Sequence, residues 1–352
     1  MSYTPLTKRR KPANSRILWI ALASIVVIFF ITSQLNYRHA VANGLDPKNI
    51  KTQLLLIKQG DTGKDVAEIL VEKNIIAKEW YLKKYLEDNN LEGKILAGRF
   101  ELSPSFSIQV IAETITDSKK AKNYVTIPEG YSIRQIDNRL SEMQLSKKGD
   151  FIQTVKKFSR WSEYPFLPKQ EIQGNLLPLE GFLFPDTYKV DPGNFSADNL
   201  IDLMLKNFQK KLPQDTATLL TQKNISLLDL ITVASMLEKE VKHPEDLPIV
   251  AGIIWKRANS GWFLNIDATL LYDLNRQELT KADLEQDSPY NTYTRKGLTP
   301  GPIGNPGLKT IQAALNPEKT RHWFYLTDPK NGKAIYAETN NQQNRNRGMY
   351  LK

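Results

Sequence analysis

The residues of this chain that could do chemistry are mostly carboxylates. None of the 352 residues is a cysteine, which excludes disulfides, thiol nucleophiles and cysteine-bound metals. The three histidines, His39, His243 and His322, are far apart and form no metal-ligand pair. We therefore expect no metal and no cofactor, and we expect any catalysis to depend on Asp and Glu side chains.

One glutamate is distinguished by its place in a helical pattern. Ser226 followed by Asp229 predicts the start of a helix. Projected at 100° per residue from Leu227, Glu238 lies at about 20°, inside the apolar stripe, and Glu240 lies at about 220°, on the polar face. Burial favours the protonated form of a carboxyl group, which a general acid needs near neutral pH. Glu238 is thus the candidate acid. Alternatively, it bonds an Arg or Tyr structurally, or the helix is slightly rotated.

The N-terminal region has the pattern of a membrane anchor. Residues 17–37 are 21 residues without a charge, close to the ~20 that cross a bilayer. Basic residues precede them, which predicts a cytoplasmic N-terminus and a chain that continues outside the cytoplasmic membrane. A cleaved signal peptide, with a weak site near His39–Ala42, is the alternative. Half of the net charge of +10 lies in this tail, which argues against nucleic-acid binding; the tail's basic residues are Lys8, Arg9, Arg10, Lys11 and Arg16.

The sequence that follows the predicted membrane anchor indicates an α+β fold. A strand, a turn with Gly or Pro, a Ser or Thr and an amphipathic helix recur at Leu54–Leu70, Arg99–Ile115 and Tyr124–Leu140. These units loosely resemble LysM modules, which bind N-acetylglucosamine-containing glycans; ordinary α+β packing units are the alternative. Prolines and aromatic residues predict a long ordered loop over Phe151–Tyr188, and Pro and Gly predict another over Ser288–Gly307.

Further along the chain, the pattern predicts a helix over Leu308–Ala314 and two strands, His322–Thr327 and Ala334–Glu338. An Asn-Gly turn joins the two strands.

Several long motifs carry a family resemblance. ASMLEKE (Ala234–Glu240), EGFLFPDTY (Glu180–Tyr188), SPYNTYTRKGLTPGPIGNPG (Ser288–Gly307) and ALNP (Ala314–Pro317) resemble the endolytic murein transglycosylase family, MltG/YceG-like. The resemblance covers nearly all of residues 50–352. It implies a basic cytoplasmic tail (1–16), a transmembrane helix (17–36), a linker (37–49), a membrane-proximal LysM-like region (50–122) and a catalytic domain (123–352).

The resemblance also implies a reaction. Enzymes of this family are carbon–oxygen lyases that cut the MurNAc–GlcNAc β-1,4 bond of nascent peptidoglycan and leave 1,6-anhydroMurNAc ends. The family's catalytic glutamate corresponds to Glu238. Asn291, Thr292 and Tyr293 are candidates for substrate binding, with stabilisation of their loop as the alternative, and Asp267 is a further polar candidate. Asn291 and Tyr293 are expected to face the cleft that holds Glu238. The implied partners are peptidoglycan glycan strands and a peptidoglycan synthase.

Two other functions stay open at this stage. A non-catalytic scaffold could bind glycan through the LysM-like region alone. A muramidase that adds water would need a second carboxylate about 5–9 Å from the acid, with Asp267 and Asp283 as the candidates.

Overall fold

The N-terminal helix is long and apolar. The computed structural model describes residues 15–168 and 176–351, so the basic tail predicted at 1–16 lies outside the described residues except for its last two. Helix α1 (Ser15–Ala42) continues past residue 36 into the predicted linker. Its stretch Trp19–Ala42 can cross a membrane by length and composition. Both a membrane anchor and a signal sequence have these properties.

The described chain divides into two compact units. The first unit runs up to Asn123 and includes the short segment Pro192–Asn194. It contains an antiparallel pair of strands in which Leu55 lies opposite Phe100, and both side chains are fully buried. After α1, its elements are β1 (Gln53–Ile57), α2 (Gly63–Glu72), α3 (Glu79–Asp88), β2 (Gly98–Leu102) and α4 (Ile108–Ile115).

The second unit, Tyr124–Asp191 and Phe195–Lys352, contains the candidate acid. It is mostly helical and has two small antiparallel sheets, β3 with β4 and β5 with β6. Its elements are β3 (Tyr124–Thr126), α5 (Ile133–Glu142), α6 (Asp150–Lys156), β4 (Thr187–Lys189), α7 (Ala197–Lys211), α8 (Thr216–Lys223), α9 (Leu227–Glu240), α10 (Leu247–Asn259), α11 (Asp267–Leu274), α12 (Leu308–Leu315), β5 (Phe324–Thr327), β6 (Ala334–Ala337) and α13 (Asn340–Tyr350).

The predicted mixed α+β class is confirmed, and so are several local predictions. Each of the three recurring segments is a strand followed by a helix, and the helices start at the N-caps Thr62, Ser107 and Ser132. The paired strands β5 and β6 are also as predicted. The loop predicted from Phe151 was wrong at its start, because α6 forms there. The prolines that exclude a helix begin only at Pro165, beyond the end of α6.

Helix α9 lies at the centre of the second unit. It packs against α10, α11 and α12, and every residue from Leu230 to Leu237 is buried. The predicted loop Ser288–Gly307 has no helix or strand within it, and its last part, residues 301–307, is buried. A buried loop needs partners for its backbone polar groups, and these partners shape the candidate site.

Candidate active site

Helix α9 carries Glu238 to the edge of the core. Its start is the predicted capping box: the Ser226 hydroxyl accepts from the Asp229 N–H, and the Asp229 carboxylate accepts from the Ser226 N–H. The buried stretch ends at Leu237, so Glu238 is half-buried, with part of its side chain open to solvent. Glu240 is half-buried to the same degree, so burial does not separate the two glutamates as the projection predicted. The Glu238 carboxyl group lies at the boundary of the core, not within it.

The first turn of α12 holds one oxygen of this carboxyl group. Glu238 Oε2 accepts hydrogen bonds from the backbone N–H of Gly307 at 2.9 Å and from the Thr310 hydroxyl at 2.7 Å. Gly307 is the N-cap of α12, where free N–H groups and the helix dipole favour an anion. Oε1 accepts no hydrogen bond from any residue that the structure describes, so this oxygen is available to a substrate.

A second carboxylate, Glu129, lies beside Glu238. A Cβ atom built at Gly307 would overlap the Glu129 carboxylate, so Glu129 and Glu238 both contact Gly307. Partial burial raises the pKa of Glu129, the negative charge of Glu238 raises it further, and Lys309 lowers it. The Glu129 side chain is exposed. Glu129 was not among the residues predicted from the sequence. Its only signal is its place between Pro128 and Gly130, in a turn 109 positions before Glu238.

Gly130 brings this turn against the acid. Its backbone has φ +77°, and its N–H donates to the Asn305 carbonyl at 2.7 Å. A Cβ atom at Gly130 would lie 3.1 Å from Glu238 Cγ, which is closer than ordinary van der Waals contact. Glycine is therefore needed here for both its conformation and its small size.

A buried glutamate, Glu180, links the segments around the site through hydrogen bonds. Glu180 is fully buried and accepts from the Ile133 N–H at 3.0 Å, the Tyr272 hydroxyl at 3.0 Å and the Asn305 amide at 3.4 Å. Burial raises its pKa to about 7. The Asn305 side chain also accepts from the Leu183 N–H. Glu180 thus connects α5, α11 and the loop that ends at Gly307. Glu180 was not predicted from the sequence. The signal that could have revealed it is that a lone acid lies in the apolar run of residues 176–184.

Asn291 and Thr292 form hydrogen bonds within the protein that stabilise their loop. Asn291 is fully buried, and its amide donates to the carbonyls of Leu284 and Gln286. Thr292 is 2% exposed, and its hydroxyl accepts from the Ile266 N–H and donates to the Ile266 carbonyl. Both side chains use their polar groups to hold the loop, which is the alternative role expected for them.

Tyr293 and Asp267 form a second polar cluster. The Tyr293 hydroxyl donates to Asp267, and the Tyr325 hydroxyl donates to Glu240 at 3.2 Å. Burial, followed by the charge of Asp267, raises the pKa of Glu240 to about 7. Glu240 was expected on a solvent-exposed face, but it is half-buried because β5 brings Tyr325 onto that side of α9.

Asp283, the other predicted second carboxylate, pairs with Arg276 at 3.1 Å and bonds Thr280. Of Asp267, Asp283 and Glu129, it is Glu129 that shares a contact with the candidate acid. Among the described residues, no three His, Asp or Glu side chains are grouped closely enough to hold a metal ion. The site therefore presents two neighbouring carboxyl groups, one with a free oxygen. Such a pair can protonate a leaving group and accept a proton in return.

Comparisons with known proteins identify the family of the chain. Residues 55–348 match the model of the YceG-like family. The endolytic murein transglycosylase of Bacillus subtilis (strain 168) is 29% identical over 319 residues, which are 86% of each chain. The endolytic murein transglycosylase of Streptococcus pneumoniae serotype 2 (strain D39) is also 29% identical, over 87% of this chain and 59% of its own length.

A solved structure shares the fold. The crystal structure of the yceG-like protein lmo1499 from Listeria monocytogenes superposes with a TM-score of 0.60 at 32% sequence identity. The match covers 84% of this chain and 99% of that one.

Proposed function

Because the chain belongs to the YceG-like family, we propose that it is an endolytic lytic transglycosylase that cuts MurNAc–GlcNAc β-1,4 bonds of nascent peptidoglycan. The products would be strands with 1,6-anhydroMurNAc ends, and elongation of the cut strand would stop. The observation that carries the proposal is the Glu238 carboxyl group. Two donors hold one of its oxygens, and the other is free.

This arrangement suits a single residue that acts twice. The acidic proton belongs on Oε1, because Oε2 already accepts from Gly307 and Thr310. Glu238 would give that proton to the leaving glycosidic oxygen. The resulting carboxylate, stabilised by the two donors, would then take the proton of the MurNAc C6 hydroxyl as this oxygen closes onto C1. An intramolecular nucleophile also has a high effective concentration.

Hydrolysis is the second candidate function, and one observation favours it. Water-adding glycosidases normally use two carboxylates, and Glu129 is a second carboxylate next to Glu238. Its exposure leaves room for a water molecule on the substrate side. In the transglycosylase reaction, the negative charge of Glu129 would stabilise the positive charge that develops at C1.

Product analysis decides between these functions. Purified full-length protein in detergent is incubated with uncross-linked glycan strands, and the products are examined by mass spectrometry. Anhydro ends support the transglycosylase, and reducing ends that carry ¹⁸O from labelled water support the muramidase. Strands that stay intact but bind the protein would support the non-catalytic scaffold. Glu238→Gln, run in parallel, tests whether the cleavage belongs to this site.

We also propose that α1 stays attached as an anchor, with the N-terminus in the cytoplasm and the enzyme outside the cytoplasmic membrane. Tyr37 is 8% exposed and packs against Trp80, with ring centroids 5.2 Å apart. Cleavage near Ala42 would remove this side chain from the core of the first unit. An anchored enzyme would meet strands as a peptidoglycan synthase releases them, which makes a synthase the expected partner.

The membrane-proximal residues 50–122 are proposed as the LysM-like region. Support comes from the order strand, helix, helix, strand over residues 53–102, with β1 and β2 paired antiparallel.

A further inference from the structure

A polar cavity of about 400 Å³ lies next to the candidate acid in the second unit. It is bounded by the start of α5, by Lys239 and by the C-terminal end of α11. Cationic and amide side chains dominate its wall, and none of the described residues that line it is acidic. The side chains that matter here are Arg134, Lys239, Arg276, Gln135, Asn275 and Gln277.

The three cations are held in different ways. Arg134 lies 5.4 Å from the centre of the Tyr272 ring and donates to the Tyr272 carbonyl. Arg276 pairs with Asp283 at 3.1 Å, and about half of its side chain is exposed. Lys239 is attracted by two carboxylates outside the cavity wall, Glu180 and Glu238.

The remaining wall adds hydrogen-bond donors. The amides of Gln135, Asn275 and Gln277 are exposed at the rim and can bond peptide groups as well as carboxylates. A ligand with several carboxylates joined by peptide bonds matches this set of cations and amides. The volume is too large for a single carboxylate and suits a short peptide.

The position of the cavity indicates the source of that peptide. Lys239 directly follows Glu238, and its ammonium group lies 3.7 Å from a Cβ built at Gly130, in the same turn as Glu129. A sugar bound at the two carboxylates would therefore extend its substituents towards the cavity. In peptidoglycan, the lactyl group of MurNAc carries a short peptide with free carboxylates.

We propose that this cavity binds the carboxylates of the stem peptide on a MurNAc residue at the cut site. The inference rests on the proposed function and extends it, because it makes peptide-bearing strands the preferred substrate. Charge-assisted hydrogen bonds from Arg and Lys supply the affinity.

The test compares two substrates and a matched pair of variants. Full-length protein is assayed on uncross-linked strands with their peptides and on the same strands stripped by an amidase. Arg276→Gln should lower kcat/KM on peptide-bearing strands about tenfold, which is ~1.4 kcal/mol, and leave the stripped strands unaffected. Asn275→Asp, which adds a negative charge at the rim, should also lower kcat/KM on peptide-bearing strands. Arg295→Gln is the control, because Arg295 is equally exposed and pairs with Asp287, but does not line the cavity.

Each result bears on the proposal. Equal cleavage of both substrates by the unaltered protein, or equal losses on both substrates in Arg276→Gln, would overturn it. If neither substrate is cut, the proposed function fails, and the cavity is then judged by titrating an isolated acidic stem peptide into the full-length protein. Saturable binding that Arg276→Gln weakens and Arg295→Gln does not would support the peptide site. Absence of binding would refute it.

Discussion

Replacing Glu238 by Gln removes the proton that the proposed mechanism needs and keeps the shape of the side chain. Acid and base catalysis by one residue contributes about 10²–10⁴-fold, so activity should fall by at least that range, which is ~2.7–5.5 kcal/mol in the activation barrier. Among the described residues, Glu238 is the carboxylate that accepts hydrogen bonds from both Gly307 and Thr310.

The same substitution should leave the fold intact. A Gln side-chain oxygen can still accept from the Gly307 N–H and from the Thr310 hydroxyl, which now reach Glu238 Oε2 at 2.9 and 2.7 Å. Two charge-assisted bonds become neutral ones, which costs about 1–2 kcal/mol in unfolding free energy. Chemical denaturation of the two proteins at the same pH measures this difference.

Glu240→Gln is the matched control. Glu240 is on the same helix, is also half-buried and also accepts a hydrogen bond, from Tyr325. It does not share the contact with Gly307, so its loss should change the cleavage rate less than about tenfold. Both variants are assayed on the same glycan strands by release of soluble products.

Exchanged behaviour of the two variants would contradict the assignment of Glu238 as the acid. Near-normal cleavage by Glu238→Gln together with loss of cleavage in Glu240→Gln would place the chemistry in the cluster of Tyr293 and Asp267. Loss in both variants with intact folding would mean that the two carboxyl groups work together. Unfolding of Glu238→Gln would show that the bonds at α12 are structural, and Glu238→Asp, which keeps the charge, would then be the informative variant.

Three further predictions concern the surroundings of this carboxyl group. Gly130→Ala should cost about 1–2 kcal/mol of stability because of its φ of +77°, and should lower activity because the new Cβ lies 3.1 Å from Glu238; denaturation and product release measure the two effects. Glu129→Gln should lower the rate of cleavage, because it removes the negative charge that would stabilise the positive charge at C1; an unchanged rate would contradict that role.

Glu240→Gln should stabilise the protein above neutral pH. The folded pKa of Glu240, about 7, lies above its ordinary value of 4.5, so the folded state binds the proton more tightly and loses stability as the pH rises from 4.5 to 7. The loss is at most about 3.4 kcal/mol at 1.36 kcal/mol per pH unit. Glu240→Gln should therefore have a higher free energy of unfolding than the parent protein at pH 8 and not at pH 4. An equal effect at both pH values would argue against a buried, titrating carboxyl group.

The sequence predicted the features that depend on interactions between residues close together in the chain. The Ser226 capping box sets the start of α9 through two hydrogen bonds within four residues, so the start of this helix was readable from the chain. The paired strands β5 and β6 were equally readable, because an Asn-Gly turn and two apolar runs specify a hairpin.

Contacts between distant segments could not be read in the same way. A helical projection assumes one buried face and one solvated face, and it fails for Glu240 because β5 lies across the second face. Asn291 and Thr292 have residue types that bind sugars well, and the same hydrogen-bonding capacity lets them hold a loop that lacks regular structure. Residue type alone does not separate these two uses.

Glu129 shows what kind of information was missing. The turn that carries it reaches the acid only because the Gly130 N–H donates to the Asn305 carbonyl and Asn305 in turn bonds Glu180. Three segments, distant in the chain, must therefore assemble before the two carboxylates become neighbours. Glu180 is the buried group at which they meet, and a Glu whose burial raises its pKa to about 7 is costly unless those bonds are made. The hydrogen bonds of Glu180 and the geometry around the proposed acid are thus coupled. A substitution at Glu180 should therefore lower the rate of cleavage by moving Glu129 and Gly307, although Glu180 itself does not contact the substrate.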